Sequence, residues 1–203
     1  MKLRYDAERL QIVLESLSPH HRIAFGATCC ERLLPNYAAF AKDTGWGDPS
    51  VMRDALAYIW MTIGKGTAND AEIARTIANC EALIPDTEEF SSAYTSAAVD
   101  AGTAIVETLK ALLDPTARHI VDVASFCRDT VHMFIQERDA LDFGADSSFD
   151  AKIADDPLMR SELGQQAAVL QELKAQPDLN VFFLKRLRTE AQASGFSNIG
   201  LPA

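Results

Sequence analysis

Residues 30–48, CERLLPNYAAFAKDTGWGD, gather Glu31, Arg32, Asn36, Tyr37, Trp46 and Asp48 around a helix break. A carboxylate, a guanidinium, an amide and a phenol are groups that bind ligands and move protons. Tyrosine and tryptophan add apolar area with a hydrogen-bonding handle. Further along, Asp100 lies among the small residues Ala97, Ala98, Ala101, Gly102 and Ala104, seven positions before Glu107. If Glu31, Arg32, Asn36, Tyr37, Trp46 and Asp100 converge on one cavity, they make a small-molecule site or the centre of a helical enzyme. The competing reading is structural. It needs only a capped turn packed by aromatics and an internal ion pair, with Arg32 as one candidate partner for the carboxylates of the small-residue helix.

Other polar patterns read as surface. His119, Asp122, Asp129 and His132 share one predicted helix. At about 100° per residue they spread over the side opposite Ile120, Val123, Cys127, Val131 and Phe134, as a solvated face with helical ion pairs does. His20 and His21 fall in a first helical turn with no carboxylate at a companion spacing, so no metal site is expected. No phosphate loop, dinucleotide fingerprint, nucleophile elbow or His-Glu-x-x-His motif occurs, and no cofactor is implied.

The elements that must position these residues are helices. Ser18-Pro19, Asp48-Pro49 and Asp156-Pro157 each read as an N-cap followed by the first helical residue. Gly45, Gly64 and Gly195 each close an apolar-periodic run. Helices are expected near 4–16, 19–42, 49–63, 69–83, 93–113, 116–138, 157–175 and 178–194, with Pro35 kinking or splitting the second. Strand-type alternation and hairpin turns are missing. The expectation is therefore all-α: one irregular domain over 1–203 of about seven to eight helices. A mobile loop is expected at about 140–156 and a short tail at 196–203, where Phe196 and Ile199 anchor the chain.

The 203 residues carry a formal charge of −10, with 48% hydrophobic and 24% charged residues. That is ordinary globular usage, and its sign opposes nucleic acid and anionic membrane. Lys185, Arg186 and Arg188 are a local exception and carry a third, lower-ranked reading, nucleic-acid binding through residues 185–188. The four cysteines match no zinc or redox spacing and read as reduced thiols of a cytoplasmic protein. No stretch approaches the ~18 apolar residues of a membrane span.

Residues 30–48 resemble the YjaG-like family of uncharacterised bacterial proteins. Ile59-Trp60, Ile84-Pro85, the Ala98/Asp100/Ala101 pattern, Leu187-Arg188 and the closing Ser197-Asn198-Ile199-Gly200 extend the resemblance along the chain in order. It implies an all-α bacterial protein and supplies no catalytic residues. The leading expectation is a non-enzymatic cytoplasmic interaction or regulatory module with a protein or small-molecule partner, and homodimerisation is the base-rate expectation for a soluble oligomer.

Overall fold

The computed structural model describes residues 5–144 and 148–203. Among them are nine helices and no strand: α1 Ala7–Glu15, α2 Pro19–Thr44, α3 Pro49–Lys65, α4 Asp70–Glu81, α5 Thr95–Leu113, α6 Ala117–Arg138, α7 Phe149–Asp155, α8 Pro157–Ala175 and α9 Val181–Gln192. Local chemistry sets most of the boundaries. Ser18, Asp48 and Asp156 accept hydrogen bonds from the backbone N–H groups of His21, Ser50 and Leu158, and a proline follows each. These side chains satisfy donors that a helix start leaves orphaned. Gly45 ends α2 in the left-handed region.

Three boundaries differ from expectation. Gly64 lies inside α3, and Gly66, at φ 67°, is the residue that stops the helix. Pro35 does not split α2, which runs unbroken from Pro19 to Thr44. Proline leaves the Glu31 carbonyl without its in-helix donor, and one residue along, the Arg32 carbonyl accepts a hydrogen bond from the backbone N–H of Asn198 at 3.2 Å. The tail thus docks where the helix backbone is opened. Within the stretch expected as a loop, residues 145–147 lie outside the described residues, while α7 forms over Phe149–Asp155. Its Phe149 and Ile153, four apart on one face, are both buried.

Helix α2 is the hub, packed against α3, α5, α6, α8 and α9. Its buried set includes Phe25, Leu33, Tyr37 and Phe40. Close approach of α2, α5 and α6 depends on Gly26: a Cβ there would stand 2.8 Å from Ile120 Cδ1. A second apolar cluster joins Val131 and Ile135 of α6, Phe149 and Ile153 of α7, Met159 and Leu163 of α8, and Ile199 of the tail. All four cysteines are free and buried. No helix of the described residues is long and apolar enough to cross a membrane.

Candidate functional site

The residues singled out around the expected break in α2 do not share a cavity. Each is turned toward a different neighbour. The Glu31 carboxylate accepts three bonds, from Trp60 Nε1 of α3 (2.9 Å) and from Arg188 Nε and Gln192 Nε2 of α9 (both 2.7 Å). Its side chain is buried, and the triad pins α9 to α2 and α3. One position on, Arg32 points the other way. Its Nη2 and Nε reach the two carboxylate oxygens of Glu162 in α8 at 2.7 and 3.1 Å, and Nη1 donates to the Thr28 carbonyl at 3.0 Å. Burial pushes the Glu162 carboxyl up, but the Arg32 charge and the bonds from Arg32 and Gln166 outweigh it and hold the group below the usual range.

Asn36 and the tail form a third contact. Asn36 Nδ2 donates to Asn198 Oδ1 at 3.0 Å, and Asn198 Nδ2 donates to the Cys127 carbonyl at 3.0 Å. Together with its backbone bond to Arg32, Asn198 joins α2 to α6. Ile199 is buried, whereas Phe196 is 53% exposed. The tail is therefore held by Asn198 and Ile199, not by Phe196 as expected. Its polar anchor uses backbone carbonyls that hydropathy does not reveal.

Tyr37 and Trp46 belong to a packed corner. The Tyr37 hydroxyl donates to the Leu83 carbonyl at 2.7 Å, and burial raises its pKa. Trp46 meets Phe40 and Phe90 with ring centroids 6.1 and 5.1 Å away. Asp100 does not meet Arg32. Its Oδ2 accepts from Thr130 Oγ1 at 2.7 Å across the α5–α6 contact, and burial pushes its pKa to about 6. Glu107 is met by Lys110 at 3.1 Å and by His119 Nδ1 at 2.7 Å. Arg118 pairs with Asp122 and Arg128 with Asp129, in keeping with a solvated α6 face. Among the described residues no cluster of His, Cys, Asp and Glu could hold a metal ion.

The surface feature with binding character lies on the other side of Glu31, between α3 and α9. A groove of about 420 Å³ has Ala57, Trp60, Met61, Gly64, Val181 and Leu184 as its apolar walls. Gly64 opens it: with no side chain there, Leu184 Cδ1 is the nearest atom, 3.7 Å from where a Cβ would stand. Met61, Val181 and, beside it, Phe182 are 43%, 63% and 85% exposed. Lys65, Lys185 and Arg188 border it. Arg186, the other cation of the basic run, turns away and pairs with Glu172 and Glu190. The sequence marks residues 185–188 as a basic run. The signal missed there was the exposed pair Val181-Phe182 at the start of α9, two large apolar residues in a first turn.

The family model described as "Protein of unknown function (DUF416)" matches residues 9–202. The chain is 29% identical over 195 residues to the uncharacterized protein YjaG of Escherichia coli (strain K12), covering 95% of both chains. It is 24% identical over 192 residues to an uncharacterized protein of Haemophilus influenzae, covering 93% of this chain and 94% of the relative. The crystal structure of a DUF416 family protein from Shewanella baltica OS155 superposes with a TM-score of 0.86 at 25% identity, covering 99% of this chain and all of that one. The chain belongs to the DUF416 family.

Proposed function

We propose that this DUF416 member is a docking module of the bacterial cytoplasm whose α3–α9 groove receives an amphipathic helix of a partner protein, apolar along one face and acidic at its flanks. The observation that carries the reading is the groove itself: an apolar floor with exposed Met61 and Val181, bordered by Lys65, Lys185 and Arg188, on a chain of net charge −10. Large exposed apolar side chains rimmed by polar ones mark interaction surfaces. Helix-in-groove recognition needs such a trough, filled by residues at i, i+3, i+4 and i+7 of the incoming helix. The rim lysines Lys65 and Lys185 favour glutamate and aspartate on the partner and repel a basic one. Nucleic acid fits the rim less well, because Arg186 and Arg188 are already held by carboxylates, and a duplex has no use for the apolar floor. The four free, buried thiols support a reducing compartment.

The test uses a fluorescein-labelled amphipathic peptide with leucines on one face and glutamates on its flanks, followed by anisotropy. Saturable binding that weakens with salt, and that is lost in Gly64→Leu and weakened roughly tenfold in Lys185→Glu, is expected. Gly64→Leu fills the groove while replacing a helical glycine by a better helix former, so the fold is kept. A lysine-flanked peptide that binds equally well would overturn the reading. So would a labelled DNA duplex that binds more tightly than the peptide at low salt. A concentration-dependent dimer abolished by Gly64→Leu would assign the groove to a second copy of this chain instead.

A further inference from the structure

The groove between α3 and α9 has two unlike ends. The helices that wall it run antiparallel. Trp60 and Arg188 both donate to Glu31 Oε1, and a Cβ at Gly64 would stand 3.7 Å from Leu184 Cδ1, so α9 steps back from 188 to 184 as α3 advances from 60 to 64. The α3 wall from Ala57 to Lys65 is about 12 Å long at ~1.5 Å per residue, long enough to keep its ends chemically distinct. Beside Val181 lie the lysines: Lys65 is the last residue of α3, and Lys185 follows Val181 by one turn of α9. Both are exposed, and among the described residues neither is ion-paired; Lys65 Nζ meets the Met61 sulfur at 3.3 Å. At the opposite end stands Arg188. Its Nε is held at 2.7 Å by the buried Glu31, so the two charges compensate each other there. Its Nη1 and Nη2 have no hydrogen-bond partner among the described residues and are not among the buried unpaired atoms, so they reach solvent.

Given the groove as a docking site for an acidic amphipathic helix, we infer that it accepts that helix in one direction: parallel to α9, with carboxylates in the first turn at Lys65 and Lys185 and the last turn at Arg188. Helix electrostatics set the partner's polarity. Glutamate and aspartate stabilise a helix in its first turn and destabilise it in its last, so the acidic end of a stable partner helix is its N-terminal end. Opposite charge then draws that end to the two free lysines. The other end of the partner brings carbonyls that lack in-helix donors. Arg188 meets them with two N–H-bearing nitrogens, and its charge, already compensated by Glu31, does not compete with the lysines for the carboxylates. The reversed direction would place the carboxylates beside the compensated pair and offer the lysines only the roughly half charge of a helix C-terminus. Two whole carboxylate charges outweigh that half charge. Between the ends, the notch at Gly64, flanked by Met61 and Trp60, takes the apolar side chains whichever way the helix runs, so direction is decided by the ends alone.

Two peptides of one composition, both acetylated and amidated, test the direction. One carries two glutamates in its first turn and two glutamines in its last; the other has them exchanged; both keep the same leucine face. Anisotropy with the full chain should show the first binding roughly tenfold more tightly. The preference should collapse in Lys65→Gln/Lys185→Gln, which changes two exposed side chains and leaves the core untouched. The peptides' own helicities are the same against either protein, so this collapse separates the lysines' effect from the helix-forming advantage of the first peptide. A nitroxide at the N-terminus of the first peptide should broaden the amide signals of Lys65 and Val181 more than those of Ala57 and Arg188. Equal affinities, a preference that survives in the double variant, or broadening centred on Ala57 and Arg188 would overturn the direction while leaving the groove a docking site. If neither peptide binds the parent chain, the docking reading falls and the direction with it.

Discussion

Replacing one member of the Arg32–Glu162 pair should destabilise the protein more than replacing both. The side chains are 4% and 1% exposed, and the pair is bidentate, with N–O distances of 2.7 and 3.1 Å. Arg32→Met leaves Glu162 as a buried carboxylate held by Gln166 Nε2 at 2.9 Å and by the Cys127 thiol, with no charge to meet its own. Glu162→Leu leaves a buried guanidinium held by the Thr28 carbonyl and, at 3.6 Å, the Cys29 thiol. Stranding one charge of a buried pair costs about 3–5 kcal/mol. That is a large part of the ~5–15 kcal/mol by which a domain of this kind is stable. Arg32→Met/Glu162→Leu removes both charges and fills the space with apolar atoms, so it should fall within roughly 2 kcal/mol of the parent. Urea unfolding followed by circular dichroism gives the three values, and unchanged slopes confirm that the same transition is measured. A double variant as unstable as the sum of the singles would refute the reasoning, because the two charges would then not be acting on each other. The pair also has a pH signature. Glu162 is held below its unfolded value, so its contribution is complete above the unfolded carboxylate range and is lost as pH falls through the folded pKa. Acid should therefore destabilise the parent but not the double variant through this group.

Asp100 should behave in the opposite sense. Its carboxyl is raised from 3.8 to about 6, so it costs stability above pH 6 and the cost disappears as pH falls toward 4. Asp100→Asn keeps an acceptor for Thr130 and should stabilise the protein at pH 7.5 by up to about 3 kcal/mol. The gain should vanish near pH 4 in parallel melts, and an equal gain at both pH values would contradict the burial argument. Gly47→Ala should destabilise by roughly 2–4 kcal/mol in urea unfolding, combining left-handed strain with loss of a buried hydrogen bond. Gly47 sits at φ 87°, and an added Cβ would stand 2.6 Å from the Tyr37 hydroxyl, which must then leave Leu83. A change below half a kcal/mol would show that Tyr37 moves aside freely.

Much of this architecture was legible because it is local. Ser18, Asp48 and Asp156 cap helices through bonds to residues two or three positions away, and Gly45 ends α2 by its own backbone freedom. Such interactions depend on neighbours in the chain, so residue type and spacing reveal them. Where two stops competed, the nearer glycine was a poor guide: tertiary packing carried α3 past Gly64 to Gly66. The i, i+4 apolar pair of α7 was present in the sequence but lay hidden in an aspartate-rich stretch.

The candidate site was legible only as a set of residue types. Glu31 and Arg32 were singled out as candidate ligand-binding residues, and Arg32 as a partner for the α5 carboxylates, yet the groups they meet lie far along the chain, Arg188 and Glu162. Adjacent positions on a helix point about 100° apart, so Glu31 faces α9 while Arg32 faces α8, and that rotation divides what the sequence groups. The groove is likewise a space between helices distant in sequence, opened by an absent side chain at Gly64. Sequence by itself determined that this chain makes capped, amphipathic helices with an acidic surface, because those properties are summed over near neighbours. Which polar groups meet, and which apolar faces stay open, only the tertiary structure decided, because a contact across more than a hundred residues depends on how whole helices pack.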